Sequence, residues 1–241
     1  FDYRKFWLNS LASAAAMRQT QGHYRASLVF DSLADLQTGL KHLSSEPEPG
    51  LKTLKKSARK LVFLFSGMGS QEKGMGQQLL SEPVFVARLN EVDAALRPLT
   101  GFSVREAVEN GYQDSPEIVQ PVLFALQLAL FALWQAWGLR PDALMGTSMG
   151  EISAACAGGW LKLEDAARIL VKRIGLLKAV VGSGAMGIIG LSAEAVEAHL
   201  AAHQESELWI AGLNGPELTV VSGQEQALER CLNALQAEKI F

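Results

Sequence analysis

The sequence predicts an α/β domain with a largely parallel sheet, followed by a smaller β-α-β-β-α unit. Three observations carry this prediction. Between residues 61 and 183, short apolar runs, glycine-bearing turns and helical stretches alternate. That is the pattern of parallel strands joined by helical crossovers. One junction reads "LMGTSMGEISAACAGG", with the spacing G-x-S-x-G at Gly146, Ser148 and Gly150. This spacing marks a nucleophile elbow, a strand that bends sharply into a helix with a serine at the bend. From about Gly184 the rhythm changes to short strands separated by two helices.

The elements follow in order. Residues 1–60 read as a separate linker subdomain, with "HYRASLVF" as a strand and "SLADLQTGLKHL" as an amphipathic helix. "SSEPEPGLKTLKKSARK" then reads as an extended connection, because Ser, Pro, Gly and Lys favour linkers. The large subdomain, 61–183, opens with "LVFLF", an apolar run suited to a buried strand. It runs into "SGMGSQEKGMG", four glycines in eleven residues, which lets backbone N–H groups approach a ligand. The phosphate-loop pattern G-x-x-x-x-G-K-[ST] is missing there.

Next, "PVFVARLNEVDAAL" places Phe85, Leu89, Val92 and Leu96 on one helical face, with Pro83 at its start. "VLFALQLALFALWQAW" is a helix apolar all round, interrupted by Gln127 and Gln135, and is expected to be a core helix rather than a membrane span. "LRPDALMG" leads into the elbow, with Ala143, Leu144 and Met145 ending a buried strand. Glu151 to Ala157 open a helix that Gly158 and Gly159 stop.

The small subdomain, 184–241, reads "AMGIIGL", "SAEAVEAHLAAHQ", "LWIAGL", "ELTVVSG" and "QEQALERCLNALQAE", with "NGPE" as the turn between the middle strands. A ferredoxin-like β-α-β-β-α-β unit needs one more strand. "KIF" stands where that strand is expected to begin, so the unit is expected to be incomplete here.

Composition narrows the function classes. A hydrophobic share of 49%, a charged share of 20% and a net charge of −3 describe an ordinary globular chain, without the basic excess of nucleic-acid or membrane-surface binding. Cys156 and Cys231 lack metal-like spacing, and a reducing, cytoplasmic setting is expected. No secretory signal is expected, since "FDYRKFWLNS" carries charges and aromatics and lacks a long apolar core.

A serine nucleophile needs a base and an oxyanion hole. In an elbow the residue after the nucleophile, here Met149, donates one N–H, and a loop after an earlier strand donates another. The turn from Ser66 to Gly69 is the candidate for the second, through the Met68 N–H. None of His23, His42, His199 and His203 is a convincing base, and all four read as surface or edge histidines. His199 and His203 are spaced like two metal ligands but lack a third, so no metal is expected.

Arg173 stands out on the helical wheel of residues 163–180. It falls in the middle of an apolar arc formed by Leu163, Ile169, Leu170, Ile174, Leu176, Leu177 and Val180. A guanidinium there needs an anion. Two readings stay open: a structural pair with a buried carboxylate, or a clamp for a substrate carboxylate.

Several stretches converge on one family. They are "FLFSGMGSQEKGMG", "EIVQPVLFALQLAL", "MGTSMGEISAACAGGWLKLEDAARIL", "AMGIIGLS" and "IAGLNGPELTVVSG". With these, the chain resembles the malonyl-CoA:acyl carrier protein transacylases, and specifically the acyltransferase domains of type I polyketide and fatty acid synthases. The resemblance begins near Leu61, and residues 1–60 resemble the linker that follows a ketosynthase.

It implies an α/β-hydrolase-like core with an inserted ferredoxin-like subdomain, and transfer of a malonyl-type unit from CoA to a carrier protein's phosphopantetheine thiol. It implies Ser148 as nucleophile, Met149 and Met68 as oxyanion donors, Arg173 as the carboxylate clamp and Gln120 as a pocket glutamine. The implied partners are malonyl-CoA, an acyl carrier protein and an adjacent ketosynthase, with neither nucleic acid nor membrane. No bound cofactor is implied, and the CoA thioester is a substrate.

Two departures stand out. Thr147 replaces the family's usual histidine and is expected to disturb packing at the elbow. The family's catalytic histidine follows the small subdomain and is expected beyond Phe241. Between extender units, Met149 leans toward malonyl and "IVQPV" slightly toward methylmalonyl; malonyl is expected. The alternatives are a serine esterase or lipase sharing the elbow, and a non-catalytic docking fragment of a megasynthase.

Overall fold

A computed structural model describes residues 3–16, 28–45 and 60–237. The chain divides into two compact units, Phe1–Arg59 and Lys60–Phe241.

The first unit contributes α1 (Tyr3–Ala16) and α2 (Leu33–Ser45). Ser32 starts α2: its Oγ accepts from the Asp35 N–H at 3.1 Å and donates to the Asp35 carboxylate at 2.6 Å. α2 is the helix expected there, with His42 in its last turn. Helix α1 was not expected. The strand expected in "HYRASLVF" is not found at Leu28 to Phe30, which carry no regular structure. The rest of that stretch, with His23, and the expected connection at 46–59 lie outside the described residues.

The second unit starts with β1 (Val62–Phe65), which pairs in parallel with β2 (Ala143–Gly146), Val62 opposite Ala143 and Phe65 opposite Gly146. Between them lie a short 3-10 turn, α3 (Pro83–Thr100), α4 (Val104–Asn110) and α5 (Pro116–Ala136). After β2 come α6 (Gly150–Ala157) and α7 (Leu163–Val180).

Phe85, Leu89, Val92 and Leu96 form the buried stripe of α3, as their spacing predicts. Among the described residues, α5 is the one helix long and apolar enough to cross a membrane. Val119, Val122, Phe124, Leu126 and Leu128 are all buried, and α5 is the centre of the core.

Two strand expectations need correction. "LVFLF" and Ala143–Met145 were expected to be buried, yet Val62 is 45%, Leu64 67% and Met145 57% exposed. Among the described residues each strand has one neighbour, and helices cover one face, so burial alternates along β1. Helix α4 was not predicted. Ser103 caps it, accepting from the Glu106 N–H at 3.1 Å and donating to Asp93 at 2.9 Å. Ser103→Ala removes both contacts and should lower stability by about 1 kcal/mol. A urea melt of the folded protein checks this; an unchanged midpoint would mean that α4 does not depend on its cap.

The remaining elements are β3 (Ala185–Ile189), α8 (Ala193–Ala202), β4 (Leu208–Gly215), β5 (Leu218–Gly223) and α9 (Glu225–Ala237). The sheet order is β3-β5-β4, with β5 antiparallel to both neighbours. It is a split β-α-β with a strand inserted between its halves, the ferredoxin-like pattern expected. Ile189, Val196, Val221, Leu228 and Cys231 form its own core under α8 and α9. The expected closing strand falls on residues outside those described, which end at Ala237. The whole is an α/β fold.

Candidate active site

The elbow is built as its spacing predicts. Ser148 has φ 55°, a left-handed conformation that costs a non-glycine residue roughly 1–2 kcal/mol. Such strain persists only where surrounding structure imposes it. Here the Thr147 N–H donates to the Phe65 carbonyl at 2.9 Å and the Gly150 N–H to the Thr147 carbonyl at 2.9 Å. The two glycines permit the bend. A Cβ on Gly146 would strike the backbone of Glu151, and one on Gly150 would strike the Phe65 carbonyl.

The glycine-rich turn after β1 packs on the elbow. A Cβ on Gly67 would stand 3.2 Å from the Thr147 carbonyl oxygen and 3.3 Å from Ser148 Cβ. Gly69 has φ 111°, and its N–H donates to Gln71 Oε1 at 2.8 Å. Gln71 Nε2 in turn donates to Asp114 at 3.1 Å. The N–H groups of Met68 and Met149 have no protein acceptor among the described residues and stay available. The Met149 side chain is buried in the core, and so reaches the site through its backbone alone. Among the described residues the Thr147 side chain is exposed, and it is the Thr147 backbone that meets the turn.

Arg173 spans from α7 to both neighbours. Its Nη2 donates to Ser148 Oγ at 2.9 Å and its Nη1 to Gln120 Oε1 at 2.9 Å. Gln120 is 3% exposed, held in α5 beside Pro121. The buried-arc expectation for α7 needs correction. The face in the core is Ala166, Ala167, Leu170 and Ile174, while Ile169, Leu176, Leu177 and Val180 are exposed. Arg173 sits at the border of these faces, half-buried. Its two partners are neutral, so no protein carboxylate among the described residues answers its charge.

A cleft of about 1050 Å³ opens between α5, α7 and the β3-β5-β4 sheet, lined by Met68, Gln120, Leu177, Met186 and Trp209 among others. At its rim Lys178 Nζ lies 3.0 Å from Glu117. Glu117's own backbone N–H in the first turn of α5, and then Lys178, hold its carboxyl below the usual range. Burial pushes the Cys156 thiol up, so it stays protonated beneath the elbow.

His199 on α8 and His203 just past its end stack with ring centroids 4.1 Å apart, and no metal-binding cluster exists among the described residues. Ser148, Met149, Met68, Arg173 and Gln120 are thus brought together. Gln71 and Gln127, which hold the glycine-rich turn, were not singled out. Gln127 alone carried a signal, as a polar residue inside an apolar helix.

Residues 62–241 match the acyl transferase domain family. The chain is 40% identical over 230 residues to polyketide synthase GfsE of Streptomyces halstedii, covering 95% of this chain and 6% of that protein. The acyltransferase domain from the second module of the salinomycin polyketide synthase superposes with a TM-score of 0.79 at 38% identity, over 97% of this chain and 56% of that one. The malonyl CoA-acyl carrier protein transacylase of Coxiella burnetii gives 0.66 at 30% identity, over 76% and 59%. The chain therefore spans a small part of the synthase and somewhat over half of the solved domains. With its elbow, its turn and its arginine bridge in place, the chain belongs to the acyl transferase domain family, in the form carried by polyketide synthases.

Proposed function

We propose that the protein containing this chain transfers a malonyl unit from coenzyme A to the phosphopantetheine thiol of an acyl carrier protein, through an acyl-Ser148 intermediate. The observation that carries this is the Arg173 bridge. A guanidinium that meets no carboxylate among the described residues stands 2.9 Å from Ser148 Oγ. A malonyl group esterified to that oxygen carries its free carboxylate two carbons beyond the carbonyl, within the reach of the guanidinium.

The chemistry runs in two displacements. Ser148 Oγ attacks the thioester carbon, and the oxyanion forms against the N–H groups of Met149 and Met68. The carbonyl re-forms, the CoA thiolate leaves and takes a proton, and acyl-Ser148 remains. The carrier thiol then attacks the ester, and Ser148 recovers its proton. Arg173 cannot serve as the base, because a guanidinium has donors and no acceptor. We place the base, a histidine, among residues outside those described. A cytoplasmic setting beside a ketosynthase fits this reading, as does the absence of any bound cofactor from the proposed steps.

The test is to incubate the full-length protein with malonyl-CoA and map the adduct by peptide mass spectrometry, with and without a carrier protein. The expected result is one malonyl group on Ser148 that moves to the carrier thiol. A malonyl group on another residue, or hydrolysis without transfer to the carrier, overturns the reading.

A further inference from the structure

The glycine-rich turn is gripped from inside the protein by a residue with no assigned role. Gln127 lies midway along α5 and is half-buried. A buried amide atom is costly unless it is paired. Its Nε2 donates to the Ser66 carbonyl at 2.8 Å, with Ser66 Oγ at 3.3 Å. Its Oε1 is buried without a partner among the described residues. A leucine would avoid that cost, so the single donor is what the side chain supplies here.

The place it holds is sensitive. The Ser66 carbonyl is confined on the other side by α6, since a Cβ on Gly150 would stand 2.7 Å from its oxygen. Ser66 Oγ also bonds Ser70 Oγ at 2.9 Å, and Ser70 Oγ reaches the Gly67 carbonyl at 3.3 Å. The Met68 N–H therefore hangs from a backbone whose first carbonyl is pinned between α5 and the elbow helix. An oxyanion donor works only within a few tenths of an ångström of its proper distance.

We propose that Gln127 is a positioning residue for the oxyanion turn, its amide fixing where the backbone from Ser66 to Met68 stands against Ser148. This rests on the reading of Ser148 as the acylated nucleophile. Gln127 touches no substrate and acts through the backbone. It governs the rate of acyl transfer and not the choice of acyl group, which Arg173 makes from the other side.

The test uses Gln127→Met and Gln127→Leu in the full-length protein. Both keep a side chain of similar bulk, and neither an S-methyl group nor an isobutyl group can donate to the Ser66 carbonyl. The Met68 donor is displaced rather than deleted, so formation of acyl-Ser148 at saturating malonyl-CoA should slow by about tenfold, less than for loss of a donor. KM should stay within about twofold, and the malonyl-to-acetyl ratio should not change. A wild-type rate in either folded variant overturns the proposal, as does a loss seen only in KM or only in melting temperature. Failure to detect acyl-Ser148 in the unmutated protein overturns the underlying nucleophile reading instead, so the two failures are distinct.

Discussion

Ser148→Ala leaves the full-length protein without a detectable acyl adduct after incubation with malonyl-CoA, and malonyl transfer to a carrier protein falls by on the order of 10⁶-fold. The effect is large because the proposed mechanism offers no second covalent route. In the proposed mechanism the oxyanion donors stabilise a tetrahedral centre that only an attack by Ser148 Oγ places between them. The substitution is also clean. Ser148 pays the left-handed backbone cost at φ 55°, and alanine pays it equally, so the elbow keeps its shape. Arg173 loses its contact to Oγ and retains Gln120. The folded fraction, followed by circular dichroism, should therefore be unchanged. Peptide mapping of the loaded wild-type and variant proteins gives the answer. Residual loading above about one part in a thousand would mean that another nucleophile accepts the acyl group, because loss of a catalytic nucleophile is far larger than that.

Arg173→Ala changes which acyl group is loaded. A charge-assisted hydrogen bond to a carboxylate is worth about 1.5–3 kcal/mol, or roughly 10–100-fold in affinity. Malonyl loading should fall by that factor. Acetyl loading should hold or rise, because a neutral acyl group no longer leaves a half-buried guanidinium unanswered. Arg173→Lys should restore only part of the loss, since an ammonium cannot hold Gln120 and a carboxylate in one planar arrangement. The measurement is the malonyl-to-acetyl ratio with both substrates on folded protein. Equal loss of both would make Arg173 a support for Ser148 and Gln120, and not a selector of substrate.

Much of the site was legible in the sequence because its determinants are local. The elbow needs glycine at two positions around a serine, for reasons confined to a few residues: the backbone of Glu151 and the Phe65 carbonyl leave no room for a Cβ. The stripe of α3 was legible for the same kind of reason, since four apolar residues at helical spacing bury one face whatever lies opposite. Arg173 was legible as an anomaly, a charge on an apolar arc, though the wheel alone left two explanations open. The family resemblance favoured one of them, and Ser148 and Gln120 as its contacts came from the fold.

The strands show where local reading ends. "LVFLF" has the composition of a doubly covered strand, yet among the described residues Leu64 is 67% exposed, because burial depends on which segments come to cover the sheet. Leu176, Leu177 and Val180 are apolar and exposed beside the cleft for the same reason. α4 escaped notice because its seven residues carry too short a pattern, and its cap works through Asp93 on another helix.

By itself the sequence determined the α/β class, the elbow with Ser148 at its bend, and the small β-α-β-β-α unit, since each is set by backbone sterics or by periodicity within one segment. Only the tertiary structure decided what those parts face. It brought the Gln127 amide to the Ser66 carbonyl across 61 positions and Arg173 to Gln120 across 53. It also buried the Met149 side chain in the core. Hydrogen bonds between distant segments depend on packing to within a few tenths of an ångström, and no pattern of residue types along the chain encodes that distance.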